Sequence, residues 1–118
     1  MIKKNFQEVE NIGATLSDGT PVKDVNVRWL IDSKDGAKNF AMRMFEIEPF
    51  SDVPLHNHWQ DHEIFILNGK GKFYNDSGDT FNVQTGDVLY IPPNENHGIK
   101  NEDKDILRFL CLIPYLKE

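Results

Sequence analysis

The feature of this sequence that most constrains its fold is a regular succession of short apolar segments separated by turn residues. Residues 25–31 and 40–47 flank an Asp35-Gly36 dipeptide. The same kind of segment recurs at residues 64–67, 72–74, 80–83, 88–91, 97–101 and 106–113. Such segments with turn dipeptides between them predict strands, because a helix would need apolar residues at a period near ~3.6. About nine strands at this spacing predict an all-β fold, an antiparallel sandwich or barrel.

Residues 1–118 are predicted to form a single domain. The length of 118 residues is ordinary for one domain, and the sequence contains neither an internal repeat nor a low-complexity linker. Residues 1–24 include Asn11, Asp18-Gly19 and Pro21, which are turn-forming residues. We therefore expect residues 1–24 to form an arm or irregular edge strands.

The composition disfavours two kinds of partner. A net charge of −6 and a pI near 5.1 are unlike those of proteins that bind the phosphate backbone, which concentrate Lys and Arg. The apolar runs at 64–67, 88–91 and 109–113 are far too short to cross a bilayer. We therefore expect neither a nucleic acid nor a membrane as partner.

The cysteine content and the first residues bear on the compartment. A single cysteine, Cys111, allows no internal disulfide, and it lies in the apolar run 109–113, where a buried small hydrophobic side chain is expected. The first eight residues have two lysines but no apolar stretch of the kind found in a secretory signal. These observations favour a cytoplasmic protein.

Histidines are the residues in this sequence that point to chemistry. His56, His58 and His62 lie within seven residues, and His97 follows the turn at 92–94. Residues two apart on a strand point to the same face, so His56 and His58 are expected to present both rings together. The chain is expected to bend at 59–61, so that His62 opens the next strand on the same side.

This cluster predicts a site for one divalent metal ion. Imidazole is a ligand of Zn, Fe, Cu and Ni, and it also occurs in manganese sites. Pro54 and the strand-like run after Glu63 make a helix improbable here, and Trp59 follows His58 where a helical zinc-protease motif has Glu. The alternative, unrelated surface or core histidines, would apply to a lone His better than to this cluster.

Two stretches resemble the motifs of the cupin family. Residues 50–71 resemble the first motif, G-x5-H-x-H-x3,4-E-x6-G, and residues 86–101 resemble the second, G-x5-P-x-G-x2-H-x3-N. They occur in order and at the separation found in small single-domain cupins. The resemblance implies an antiparallel double-stranded β-helix, the jelly-roll barrel, over residues 1–118.

The resemblance leaves a choice for one ligand. Counted back from Gly69, the glutamate ligand of the family falls on His62, whereas the looser spacing counted from His58 allows Glu63. Strand alternation places His62 on one face with Ile64 and sends Glu63 to the other. We expect His62, with Glu63 as the alternative. The metal ligands are then those of a four-histidine cupin: His56, His58, His62 and His97.

Three other motif positions make structural predictions. Phe50 replaces the leading glycine of the first motif, so the turn there is expected to differ locally. Asn94 replaces the middle glycine of the second motif, and Asn after Pro93 suits a type II turn because Asn tolerates positive φ. Asn101 matches the last motif position, where structural hydrogen bonds are expected.

The resemblance implies a metal-dependent enzyme that acts on a small oxygenated metabolite, of dioxygenase, isomerase, lyase or decarboxylase type. The alternatives are a non-catalytic sugar- or metabolite-binding module and a mainly structural metal site. The implied cofactor is one divalent transition metal: Mn, Fe, Zn, Ni or Cu. Tyr90, Arg43, Trp29 and Met44 are candidates to line the cavity, although ordinary core or sheet-surface packing is the expected role of each.

The resemblance also bears on assembly. Small cupins commonly pair, so a homodimer is expected, with the N-terminal arm and Trp29 near the contact. The other expected partner is a small-molecule ligand or substrate.

Overall fold

A computed structural model describes residues 1–115 of the chain, and it is built almost wholly of antiparallel strands. The all-β prediction is confirmed, with ten strands in this part of the chain where about nine were expected. Two short 3-10 turns, Phe6–Glu8 and Ser33–Asp35, complete the regular structure. The strands are β1 (Ile12–Thr15), β2 (Pro21–Ile31), β3 (Phe40–Ile47), β4 (Asp52–His56), β5 (His62–Asn68), β6 (Lys70–Asn75), β7 (Thr80–Gln84), β8 (Val88–Ile91), β9 (His97–Lys100) and β10 (Leu107–Pro114).

The strands form two sheets that pack face to face as a jelly-roll barrel. The larger sheet has the order β1-β2-β3-β10-β5-β8, and the smaller has the order β4-β9-β6-β7. Every pairing is antiparallel. Strands β4 and β5 are consecutive in the chain but belong to different sheets, so the loop between them crosses from one sheet to the other.

One apolar core holds the two sheets together. On β10 the burial alternates strictly, with Leu107, Phe109 and Cys111 buried toward the core. The ring of Phe109 contacts Phe73 of the smaller sheet edge to face, with 5.7 Å between centroids. Each fully buried aliphatic or aromatic side chain, such as Ile66, contributes about 1.5–3 kcal/mol relative to exposure. This packing fixes which face of every strand points inward.

The N-terminal residues are joined to the barrel more closely than a free arm would be. Strand β1 pairs with β2, and β2 pairs in turn with β3, so residues 12–24 extend the larger sheet. The Arg28 guanidinium donates hydrogen bonds to the backbone oxygens of Phe6 and Val9 at 2.9 and 3.2 Å. The first residues therefore lie along the outer face of β2. None of the regular structure in residues 1–115 is a helix long and apolar enough to cross a membrane.

The expectation for Asn94 is confirmed, and Phe50 shows the same kind of left-handed backbone. Asn94 adopts φ 64°, as the turn after Pro93 requires. Phe50 also adopts a left-handed conformation, with φ 61°, so the backbone keeps the shape that glycine would favour. The side chain of Phe50 is 74% exposed and contributes little packing. The chain tolerates local strain here because the strands on both sides hold the turn.

Replacing this residue with glycine should stabilise the protein. A left-handed non-glycine residue costs about 1–2 kcal/mol, and the greater backbone entropy of glycine in the unfolded chain offsets about half of that. We expect Phe50→Gly to raise the free energy of unfolding by about 0.5–1 kcal/mol in urea titrations. Phe50→Ala is the matched control, since it removes the same ring but keeps the Cβ atom. Equal stability of the Gly and Ala variants would contradict this account.

Candidate metal centre

The four histidines occupy strand ends and one loop at the same end of the barrel. His56 is the last residue of β4, and His97 and His62 are the first residues of β9 and β5. The prediction that His56 and His58 share a strand is wrong, because β4 ends at His56 and His58 lies in the loop that crosses between the sheets. The predicted bend at 59–61 is present, and His62 opens the next strand as expected.

The rings of these histidines converge across the gap between the two sheets. His56 and His97 face each other on paired strands, with 4.3 Å between ring centroids. His58 stacks on His62 at 4.3 Å, and the His62 and His97 centroids are 5.2 Å apart. The smaller sheet thus supplies two rings, the larger sheet one, and the crossing loop one.

The nitrogen atoms of the cluster are close enough to share one ion. His56, His58 and His97 each offer a ring nitrogen within 4.8 Å of the other two. His62 lies outside that mutually close set, although its Nε2 is 2.5 Å from Nε2 of His58. The structure therefore shows a three-histidine group with a fourth ring against one side of it.

Three of the rings are oriented by backbone carbonyl groups. The Nδ1 atoms of His56, His58 and His97 lie 2.8, 2.9 and 2.8 Å from the oxygens of the residues two positions away in sequence. A carbonyl can only accept, so each Nδ1 carries the proton and each Nε2 keeps a lone pair. The Nε2 of His97 is buried and has no hydrogen-bond partner among the described residues. A buried lone pair without a donor is what a metal ion would satisfy.

His62 is held differently, by the sulfur of Cys111. Its Nδ1 lies 3.0 Å from Cys111 Sγ, and Arg43 Nη2 donates to the same sulfur at 3.0 Å. Burial raises the pKa of the Cys111 thiol, so the sulfur is uncharged at neutral pH. The sequence predicted a buried Cys111, which is confirmed, but it missed this role beside a histidine. Alternation along 109–113 indicates the inward face of Cys111, yet nothing in the sequence shows that β10 lies between β3 and β5.

The candidate lining residues separate onto the two faces of the larger sheet. Arg43 and Trp29 are directly paired across β3 and β2, and they lie on the inner face with Cys111. Met44, the neighbour of Arg43 along β3, is on the opposite face. Tyr90 is 57% exposed and its hydroxyl donates a hydrogen bond to Asp61, away from the histidines. Met44 and Tyr90 therefore have the ordinary packing roles that were expected of them, and neither faces the cluster.

Glu63 and Asn101 follow the alternation that the sequence predicts. Along β5 the burial alternates, with His62 and Ile64 buried and Glu63 exposed. The Glu63 carboxylate is therefore on the outer face of the sheet, away from the cluster. Asn101 is fully buried, and its Nδ2 donates to the backbone oxygens of Ile47, Glu48 and Asp105. Its expected structural role is confirmed.

Burial lowers the pKa of three of the clustered rings, those of His58, His62 and His97. Desolvation lowers the pKa of His62 to about 2 and that of His97 to about 4, and it also lowers the pKa of His58. Repulsion from neighbouring histidines adds to each shift, and the Arg43 charge adds to those of His58 and His62. The neutral imidazole is the form that ligates a metal, so the fold holds these rings ready for one.

The family model of the cupin domain matches residues 43–113 of this chain. That stretch includes all four histidines, the whole smaller sheet, and all or part of four of the six strands of the larger sheet. The chain belongs to the cupin family. The resemblance seen in the two sequence motifs is thus confirmed, and the jelly-roll arrangement of the strands agrees with it.

Several cupins are similar to this chain. An oxalate-binding protein of Thermotoga maritima is 38% identical over 88 residues, which is 71% of each chain. The polyketide cyclase RemF of Streptomyces resistomycificus is 29% identical, with a TM-score of 0.86 over 100% of this chain and 88% of that one. A predicted oxalate decarboxylase of Thermotoga maritima superposes with a TM-score of 0.80 at 24% identity, over 98% of this chain and 100% of that one.

The metal-free cupin should lose stability as the pH falls below 6.5. Histidine in the unfolded chain protonates near pH 6.5, whereas His97 and His62 in the fold stay neutral down to about 4 and about 2. The unfolded state therefore binds more protons in this range, and the free energy of unfolding decreases by at most about 1.4 kcal/mol per pH unit for each ring. Allowing for partial solvent screening, we expect a loss of about 3 kcal/mol between pH 7 and 4.5.

Urea unfolding of chelator-treated protein across that pH range measures this loss. His97→Gln removes one of the two groups and should make the dependence shallower. A stability that is constant from pH 7 to 4.5 would contradict the buried, neutral state of these rings.

Proposed function

We propose that this cupin binds one divalent transition metal through His56, His58, His62 and His97. The observation that carries the proposal is the buried Nε2 of His97, which has no partner in residues 1–115 and faces a cluster whose other nitrogens carry lone pairs. The membership of His62 is supported by the 2.5 Å between its Nε2 and that of His58, because two ring nitrogens this close hold either a proton or a metal ion between them. Mn, Fe, Zn, Ni and Cu all suit imidazole ligands.

This site would act on a small oxygenated metabolite. Four histidines on an octahedral metal leave about two adjacent positions for a ligand, and the metal supplies Lewis acidity there. Four neutral rings also leave the site at +2, which favours anionic oxygen groups over neutral ones. Reactions of decarboxylase, lyase, isomerase or dioxygenase type fit such a site. The similarity to a polyketide cyclase and to a predicted oxalate decarboxylase supports a catalytic role.

A non-catalytic role is the second candidate, and one comparison favours it. The relative with 38% identity is named for binding oxalate. Oxygen uptake and product formation separate the two roles, measured on anaerobically purified protein with oxalate, 2-oxo acids and diols. Turnover of any of these supports the enzyme, whereas tight binding of a substrate that is recovered unchanged supports the binding protein.

Metal content tests the ligand set directly. His58→Ala should abolish the stoichiometric metal, because it removes a ring whose nitrogen is close to those of His56, His62 and His97. His62→Ala should weaken metal affinity about 10- to 100-fold or more. Glu63→Gln is the matched control one position along β5, and it should retain roughly one metal per chain. Elemental analysis that found metal in His62→Ala but none in Glu63→Gln would assign the fourth ligand to Glu63.

A homodimer is proposed as the assembly, through the outer face of the larger sheet. Phe65, Val88 and Tyr90 are all exposed there, whereas Trp29, the expected contact, points to the interior. Sedimentation at micromolar concentration should give a dimer, and Phe65→Asp should give a monomer because it places a charge in the apolar contact. A wild-type monomer would contradict the proposal.

A reducing compartment such as the cytoplasm fits the buried free thiol of Cys111.

A further inference from the structure

Arg43 places a permanent positive charge inside the barrel. It lies on β3, directly opposite Cys111 of β10 and Trp29 of β2, so its side chain is on the inner face of the larger sheet. Its Cζ is 5.3 Å from the Trp29 ring centroid and 4.8 Å from that of Phe45. These two rings hold the guanidinium in one place through cation–π contacts.

This guanidinium differs from the other two in the chain because no oxygen of residues 1–115 binds it. Arg108 pairs with the Glu46 carboxylate at 2.6 Å, and Arg28 donates to two backbone oxygens. Within residues 1–115, the hydrogen bond that Arg43 makes is to the weakly accepting Cys111 sulfur, and its Nε, like that of Arg28, is buried without a partner. A buried, charged N–H group left unsatisfied is costly, so a site of this kind is suited to an incoming acceptor.

The unsatisfied guanidinium lies next to the histidine cluster. Two consecutive contacts of 3.0 Å, from Arg43 to Cys111 and from Cys111 to His62, connect them. The nearest carboxylate along β5, that of Glu63, is on the outer face of the sheet. With a divalent metal bound, the interior would carry three positive charges in a chain whose net charge is −6. Arg43 is only partly buried and Trp29 is 39% exposed, so this part of the interior reaches solvent.

We propose that Arg43 is the specificity residue of this site and selects small ligands that carry a carboxylate. The inference rests on the proposed metal centre: the metal would take one oxygen group of the ligand, and Arg43 would take the carboxylate at its other end. The planar guanidinium group can donate two parallel hydrogen bonds to the two oxygens of one carboxylate. A neutral amide or hydroxyl group has no matching pair of acceptor oxygens. The preferred ligands are therefore short dicarboxylates and 2-oxo or 2-hydroxy acids.

Calorimetric titration of the zinc-loaded protein tests the assignment. The probes are oxalate and a matched pair, glycolate and its neutral amide, glycolamide. Arg43→Met should weaken oxalate binding about 10- to 100-fold, as expected for the loss of a charge-assisted hydrogen bond, and should reduce the preference for glycolate over glycolamide to the part that the metal charge alone provides. Arg43→Lys keeps the charge without the fork, and it should recover part of the preference. Arg28→Met changes the same charge on the outer face and should bind as the wild type does.

Metal content measured on the same samples separates this proposal from that of the metal centre. Arg43→Met is expected to keep the wild-type metal content while losing the carboxylate. Wild-type oxalate affinity in Arg43→Met would overturn the proposal, and so would a parallel loss of metal, which would make Arg43 a positioning residue for His62 through Cys111. If the wild type holds no metal, the proposal of a metal centre is wrong. The role of Arg43 is then tested by itself, from the change in Trp29 fluorescence when oxalate is added to protein that carries Trp59→Phe. If oxalate changes the fluorescence and Arg43→Met removes that change, the assignment of Arg43 is supported. If the change persists in Arg43→Met, or if the protein with Arg43 shows none, the assignment is overturned.

Discussion

The packing of two antiparallel sheets on one apolar core is the constraint on which the rest of this structure depends. Once Ile66, Leu107 and Phe109 are buried, the strict alternation of side chains decides which neighbours point inward along each strand. His62 and Cys111 reach the interior for this reason, and Glu63 does not. The histidine cluster is thus a consequence of sheet packing, supplemented by one loop residue.

The interior so formed combines neutral rings with an uncompensated cation. Desolvation and repulsion from neighbouring charges lower the pKa of His58, His62 and His97, and backbone carbonyls orient three of the four rings with the free nitrogen toward the cluster. Arg43 adds a positive charge that no carboxylate in residues 1–115 balances. A cavity of this kind favours a metal ion together with an anionic ligand, because each satisfies groups that the fold leaves open.

His62 is the member of the cluster that depends most on other side chains. A peptide carbonyl two residues away can be supplied by almost any sequence, whereas the sulfur against His62 comes from one residue of a strand far along the chain. Arg43 contacts that same sulfur. The fourth histidine and the proposed carboxylate receptor therefore share one neighbour, Cys111.

The local properties of this protein were determined by its sequence: the strand periodicity, the two cupin motifs, the inward face of His62 and the turn at Asn94 could all be read from it. Each depends on residues close together in the chain, where alternation and turn chemistry act. Three features were decided only by the tertiary structure: the position of His58 beyond the end of β4, the left-handed Phe50, and the contact of Arg43 and Cys111 with His62. These features depend on which strands are neighbours and on the path of the loops between the sheets. Both are set by packing of the whole core, which joins residues far apart in the sequence.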